Sequence, residues 1–138
     1  MGLVVDASLA ASWMLPDEEN AACDAVLDLL ATTSAGVPSL FWHEARSLFL
    51  MAERRGRFPA GAAQASLLRL RRLPLDDHGS GNDQKVLELA RTHGLTAYDA
   101  AYLALAVDQG ADLATLDRKL AEAARRENLA VLGPLALR

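Results

Sequence analysis

Four acidic residues lie where their sequence neighbours are apolar, which is an unfavourable environment for a carboxylate. Asp6 and Asp117 each follow a short apolar segment directly. Glu44 has a leucine four residues to either side, and Asp99 is followed at helical spacing by a tyrosine and a leucine. Carboxylates that face a core lose hydration free energy unless a cation or hydrogen-bond donors meet them. Such oxygen ligands, without cysteine or suitably spaced histidine, fit a hard divalent cation such as Mg²⁺ or Mn²⁺.

Each of these acids also has a structural explanation when it is taken alone. Asp6 and Asp117 are suited to cap the N-termini of helices. Asp99 fits the acidic position of a capping box that begins at Thr96, and Glu44 could pair with a nearby arginine. The structural explanation is weaker for the set, because two of the acids follow predicted strands. In open α/β sheets, the carboxyl ends of the strands are where ligand crevices form.

The elements that must position these acids alternate along the chain. Short apolar segments predict strands, and longer periodic segments predict helices. The predicted strands are 3–5, a short or edge strand at 73–75, 113–116 and 130–132, with a further extended piece around Gly36 and Pro38. The predicted helices are 7–15, 17–30, 39–55, 59–72, 82–93, 96–109 and 117–127. This alternation indicates an α/β fold with a short parallel sheet covered by about seven helices.

Length and composition indicate one compact domain over residues 1–138. The chain has a mass of 14.8 kDa, with 51% hydrophobic and 23% charged residues. A chain of this size can bury one hydrophobic core but not two. A single cysteine excludes an internal disulfide. The longest uncharged segment, 29–42, contains Gly36 and Pro38 and is not a membrane span. The N-terminus has no basic region before Asp6, so we expect no signal peptide and a cytoplasmic location.

Arginines are concentrated in one part of the chain, although the net charge is −4. Residues 46–72 contain seven arginines and one acid, Glu53. Guanidinium groups suit phosphate or carboxylate partners, whereas the ordinary alternative is a solvated helical surface. The arginines that we expect to contact such a partner are Arg46, Arg54, Arg55 and Arg57.

Four segments of the sequence carry the four acids. They are LVVDAS at 3–8, PSLFWHE at 38–44, LTAYDAAYLALA at 95–106 and LATLDRKL at 113–120. Together these segments resemble the acidic motifs of PIN domains, and most closely those of VapC toxins from bacterial toxin–antitoxin pairs. The resemblance covers essentially the whole chain, and residues 95–106 are its most specific segment.

This resemblance implies a metal-dependent endoribonuclease. Asp6, Glu44 and Asp99 would be the principal ligands of Mg²⁺ or Mn²⁺, and Asp117 would be a fourth, more peripheral acid. It also implies a homodimer, an RNA substrate and inhibition by a cognate VapB-type antitoxin.

The resemblance further implies supporting hydroxyl groups on Ser8 and Thr115. One position departs from the family pattern, because Ser47 stands where members often carry asparagine three residues after the second-motif glutamate. Serine is shorter and offers one donor where asparagine offers two. The departure leaves the role of this position in orienting metal or substrate open.

Two other functions compete with the nuclease. A catalytically silent PIN fold would act only as a binding partner, but all four acids are retained. A phosphohydrolase with its nucleophile at a strand end would need a second aspartate two residues later, and that position is Ser8. The four retained acids, and Ser8 in place of a second aspartate, therefore favour the nuclease over both alternatives.

Overall fold

A central sheet of five short strands organises the computed structural model, which describes residues 2–137. The strands are β1 (Leu3–Val5), β2 (Ala35–Val37), β3 (Leu75–Asp77), β4 (Asp112–Ala114) and β5 (Val131–Leu132). All pairings are parallel, and the order across the sheet is β3-β2-β1-β4-β5. Parallel strands need crossover connections, which here are helical and cover the sheet.

Seven α-helices lie within the described residues, so the predicted α/β architecture is confirmed. A short 3₁₀ helix, Pro16–Glu18, lies between the first two of them. The helices are α1 (Ala7–Ser12), α2 (Ala21–Leu29), α3 (Leu40–Arg54), α4 (Ala62–Arg71), α5 (Asp83–His93), α6 (Ala97–Gln109) and α7 (Arg118–Arg126).

The sheet order places a topological switch point beside β1. From β1 the chain adds β2 and then β3 on one side, and it later returns to add β4 and β5 on the other side. Val4 of β1 pairs with Gly36 of β2 and with Leu113 of β4, so β1 is central and its two valines are fully buried. A crevice outside the carboxyl ends of β1 and β4 is therefore the expected ligand site of this topology.

Two helices begin later than the sequence predicts. The helix predicted from Asp17 begins at Ala21, because the Asn20 side chain accepts hydrogen bonds from the N–H groups of Ala22 and Cys23. The helix predicted from Pro59 begins at Ala62, after Gly61 with a φ of 86°. A carboxylate from α3 then caps it, since the Ala63 N–H donates to Glu53 Oε2 at 2.7 Å.

Smaller differences concern strand ends and one cap. The edge strand predicted at 73–75 is β3 at Leu75–Asp77, and the strand predicted at 113–116 is β4, which ends at Ala114. Ser39 precedes α3, but its side chain makes no capping hydrogen bond. Its backbone is already helical, whereas side-chain capping requires an extended residue.

No helix between residues 2 and 137 is long and apolar enough to cross a membrane. The expected cytoplasmic location stays a prediction.

Candidate active site

A cavity of about 260 Å³ opens at the switch point beyond β1 and β4, and all four predicted acids line it. Asp6 comes from the end of β1, Glu44 from α3, Asp99 from the first turn of α6 and Asp117 from the start of α7. Residues separated by more than a hundred positions in the sequence thus meet in one pocket. The complete lining is Asp6, Ala7, Ser8, Glu44, Ser47, Leu48, Asp99, Tyr102 and Asp117.

Asp6 is the most buried of the acids, with 5% of its surface exposed. Its Oδ1 accepts hydrogen bonds from the Ser8 hydroxyl and the Leu9 N–H, both at 2.9 Å. Its Oδ2 accepts a hydrogen bond from the fully buried Thr115 hydroxyl. The pKa of Asp6 is raised to about 6, and burial is the main cause. The three donors lower this pKa, whereas the charge of the nearby Glu44 raises it. Asp6 is therefore a fixed carboxylate that caps α1 and also faces the pocket.

Thr115 connects the first and last acidic segments. Its hydroxyl donates to Asp6 and accepts a hydrogen bond from the Asp117 N–H at 3.0 Å. Asp117 in turn caps α7, because its Oδ1 accepts from the Leu120 N–H at 3.0 Å. Asp6 and Asp117 are helix caps that also line the cavity, so capping a helix does not remove these side chains from the pocket.

Glu44 is half-buried, and its hydrogen-bond partner is Tyr102. The phenol hydroxyl donates to Glu44 Oε1 at 2.5 Å. Burial raises the pKa of Glu44, the hydrogen bond from Tyr102 lowers it, and the charge of Asp99 raises it further.

Asp99 lies in the first turn of α6, and its N–H donates to the capping Thr96 hydroxyl at 3.1 Å. Burial raises the pKa of Asp99, and repulsion from Asp117 raises it further. Thr96 and the cation of Lys119 act in the opposite direction. Asp99 therefore experiences a negative electrostatic environment that one lysine offsets in part.

The donor chemistry of this pocket fits a hard divalent cation. Among the described residues, its lining contains four carboxylates and no lysine or arginine. Mutual repulsion links Asp6 with Glu44, Glu44 with Asp99, and Asp99 with Asp117. Within residues 2–137, however, no three acidic, histidine or cysteine side chains are gathered closely enough to hold a metal ion as they stand. The type and charge of the ligands fit Mg²⁺ or Mn²⁺, and binding requires the side chains to close around the ion.

The four predicted arginine contacts are arranged differently from one another. Arg46, Arg54 and Arg55 are exposed on α3 and its C-cap. Arg57 instead forms a bidentate ion pair with Asp17, at 2.7 and 3.0 Å, and contacts Glu18 at 2.5 Å. This pair lowers the pKa of Asp17 through the hydrogen bonds from Arg57. Arg57 therefore connects the residues that follow α3 with the 3₁₀ helix at Pro16–Glu18.

Sequence reasoning missed Tyr102 as part of the site. It is 1% exposed, as a core residue is, but its hydroxyl reaches Glu44. The available signal was its position three residues after Asp99, which places both side chains on adjacent parts of one helix. Ser47 and Leu48 also line the cavity.

Comparison with known proteins gives a family and a fold. The model of the PIN domain family matches residues 3–126. Ribonuclease VapC3 of Pyrobaculum aerophilum is 35% identical over 131 residues, which cover 88% of this chain and 94% of that protein.

Two solved structures share the fold. The crystal structure of PAE2754 from Pyrobaculum aerophilum has a TM-score of 0.74 and 23% identity, over 95% of this chain and 89% of that one. The structure of VapBC2 from Rickettsia felis, bound to a DNA fragment from its promoter, has a TM-score of 0.65 and 16% identity, over 95% and 97% of the two chains. The matched family model, the related sequence and the shared topology agree, and this chain belongs to the PIN domain family.

Proposed function

We propose that this protein is a Mg²⁺- or Mn²⁺-dependent endoribonuclease toxin of the VapC type, neutralised by a cognate VapB-type antitoxin. The observation that carries the proposal is the meeting of four carboxylates at the topological switch point, in a pocket that no lysine or arginine between residues 2 and 137 lines. The similarity to a protein named Ribonuclease VapC3 supports the choice of RNA as substrate.

In this proposal Asp6, Glu44 and Asp99 hold the metal ion, and Asp117 is the peripheral fourth acid. A bound Mg²⁺ or Mn²⁺ supplies Lewis acidity toward a phosphodiester oxygen and lowers the pKa of a bound water. The reaction adds water to phosphorus in line with the departing 3′-oxygen, which leaves a 5′-phosphate and a 3′-hydroxyl. It needs no attack by the RNA 2′-hydroxyl.

The protein's own groups divide into a fixed part and an adjustable part. Asp6 belongs to the fixed part, because three donors hold its two oxygens. Glu44 and Asp99 are less buried and belong to the adjustable part. Tyr102 holds one oxygen of Glu44, and the remaining freedom of the two side chains lets them close on the ion. Lys119 lies near enough to Asp99 to influence its pKa, and its cation is available to a substrate phosphate beside the pocket.

In this proposal the RNA backbone lies along the exposed surface of α3. Glu44 and Leu48 line the pocket, and Met51 and Arg55 follow them at helical spacing on the same side of α3. Glu44 and Arg55 are separated by roughly 16 Å along the helix axis, which is the length of a few nucleotides. We infer that Arg55, with Arg54 beside it, contacts substrate phosphates, whereas Arg46 lies on another side of α3 and Arg57 is paired internally.

An antitoxin and a second copy of the chain are the protein partners in this proposal. The fold that this chain shares with VapBC2 of Rickettsia felis supports the antitoxin partner. Leu48 and Met51, 37% and 36% exposed, give the rim of the pocket an apolar surface that a protein segment could cover.

The proposal is tested by incubating antitoxin-free protein with total cellular RNA in Mg²⁺ or Mn²⁺. Discrete fragments with 5′-phosphate ends, absent when EDTA is added, are the expected result. Intact RNA from antitoxin-free protein, together with no Mn²⁺ binding in calorimetry, would favour the catalytically silent fold that serves only as a binding partner.

A further inference from the structure

The hydroxyl of Tyr102 is buried among acidic groups and is not explained by packing alone. Tyr102 is 1% exposed and lies on α6 one turn after Asp99. Its ring fills the core, but a phenylalanine would fill nearly the same volume. Packing therefore does not explain the hydroxyl. A buried polar group without a partner is destabilising, so this hydroxyl needs a hydrogen-bond partner.

The partner of this hydroxyl is the carboxylate of Glu44 on α3, at 2.5 Å from Oε1. A tyrosine phenol keeps its proton at neutral pH, and a carboxylate can only accept, so the hydroxyl is the donor of this bond. Among the described residues no other group donates a hydrogen bond to the Glu44 carboxylate, so Oε2 accepts none. The phenol is thus the contact that fixes where the Glu44 carboxylate lies.

Glu44 needs such a contact more than Asp6 does. Asp6 has a short side chain held by three donors, whereas Glu44 has one more rotatable bond, is half-buried and faces the charge of Asp99. Without the phenol hydroxyl, rotation toward solvent would relieve the repulsion and remove the carboxylate from the pocket.

We propose that Tyr102 is a positioning residue that holds the Glu44 carboxylate in the acidic pocket and thereby sets the affinity of the site for its divalent cation. One helix, α6, then supplies both an acid, Asp99, and the group that orients a second acid on α3. This inference rests on the proposed metal-dependent function, although the placement of Glu44 is testable without metal.

The test compares Tyr102→Phe with Tyr98→Phe in the full chain. Tyr98 lies one turn earlier on α6 and is 67% exposed, so its substitution removes the same hydroxyl from a position outside the pocket. Crystal structures of both variants without metal are expected to show Glu44 displaced or in several rotamers in Tyr102→Phe only. A Glu44 carboxylate that keeps its wild-type position in Tyr102→Phe would overturn the proposal, whether or not the protein binds metal.

Calorimetry with Mn²⁺ measures the consequence for the site. Loss of an outer hydrogen-bond partner typically weakens metal affinity by about 10- to 100-fold, and we expect this range for Tyr102→Phe and no change for Tyr98→Phe. In a Glu44→Gln background, Tyr102→Phe should cause little further weakening, because both changes act on one interaction. Additive effects would contradict action through Glu44. Absence of Mn²⁺ binding by the wild-type protein would instead contradict the proposed function, and the crystal structures would still decide the position of Glu44.

Discussion

Two clefts lie at the carboxyl edge of the same sheet, and they differ in size and in charge. The larger, of about 520 Å³, lies beyond β2 and β3 and is bounded by α5 and α6. Its lining contains Lys85 as well as the acids Glu88 and Asp108, so charges of both signs are present. The acidic pocket beyond β1 and β4 has about half that volume and four carboxylates.

The charge pattern, and not the volume, is what favours the smaller cleft as the candidate site. The larger cleft lies beyond two strands that are neighbours on one side of β1, whereas the smaller lies where the chain order reverses. At that reversal, the ends of β1 and β4 bring Asp6 and Thr115 into contact and leave neighbouring acids to repel one another. Charge without a matching countercharge is the feature that indicates a cation.

The largest expected effect is on RNA cleavage, and two aspartates on α6 allow the two clefts to be compared. Asp99 lines the acidic pocket and Asp108 lines the larger cleft, and both belong to α6. Asp99→Asn should lower RNA cleavage by about 100-fold or more, the scale of losing one preorganised polar group in an active site. Asp108→Asn should stay within about twofold of wild type in the same cleavage assay. Equal losses in the two variants would place the reaction outside the acidic pocket.

A smaller effect concerns stability and its dependence on pH. Burial raises the pKa of Asp6 from 3.8 to about 6, so the folded state binds this proton more tightly than the unfolded chain. Ionised Asp6 therefore destabilises the metal-free fold above pH 6, and the penalty disappears as the pH falls toward 4. Asp6→Asn should raise the free energy of unfolding by about 1–3 kcal/mol at pH 7, and the gain should shrink toward pH 4.

Urea unfolding in EDTA at the two pH values measures this difference. Asp17→Asn is the control, because Arg57 lowers the pKa of Asp17 and its ionised form is favoured in the fold. That variant should gain no stability at pH 7. A loss of stability in Asp6→Asn at pH 7 would contradict the electrostatic interpretation of the pocket.

Metal binding should stabilise the fold through the acidic pocket and not through the larger cleft. At a free Mn²⁺ concentration one hundred times the dissociation constant, the free energy of unfolding should rise by about 2.7 kcal/mol. Thermal unfolding with and without Mn²⁺ should show this rise in Asp108→Asn and little of it in Asp99→Asn. The reverse pattern would assign the ion to the larger cleft.

The smallest expected effect is on RNA binding. It distinguishes RNA that lies along α3 from RNA that lies in the larger cleft. Arg55→Gln should weaken RNA binding by less than about tenfold and reduce the salt dependence by the contribution of about one phosphate contact. Filter binding in EDTA, across a range of salt concentrations, measures both quantities without cleavage. Lys85→Gln in the larger cleft and Arg46→Gln on another side of α3 should change binding less. A larger loss in Lys85→Gln would direct the RNA through the larger cleft.

Much of the fold could be predicted because its signals are local. The apolar segment at β1, the glycines after α5 and α6, and the Thr96 cap all act within a few residues of where they stand. The starts of α2 and α4 could not be placed as well. More than one residue before α2 is suited to begin the helix, and the group that caps α4 lies on a separate helix. Asn20 competes with Asp17 as a start, and α4 receives its cap from Glu53 on another helix.

The sequence by itself determined the order in which the strands and helices occur, and it predicts which residues would carry the chemistry. Asp6, Glu44, Asp99 and Asp117 were identifiable because acids on apolar faces stand out against local periodicity. Tertiary structure decided the rest, since hydrogen bonds between distant segments cannot be inferred from spacing. It joined Thr115 to Asp6, set Tyr102 against Glu44, and paired Arg57 with Asp17 across forty positions in the sequence.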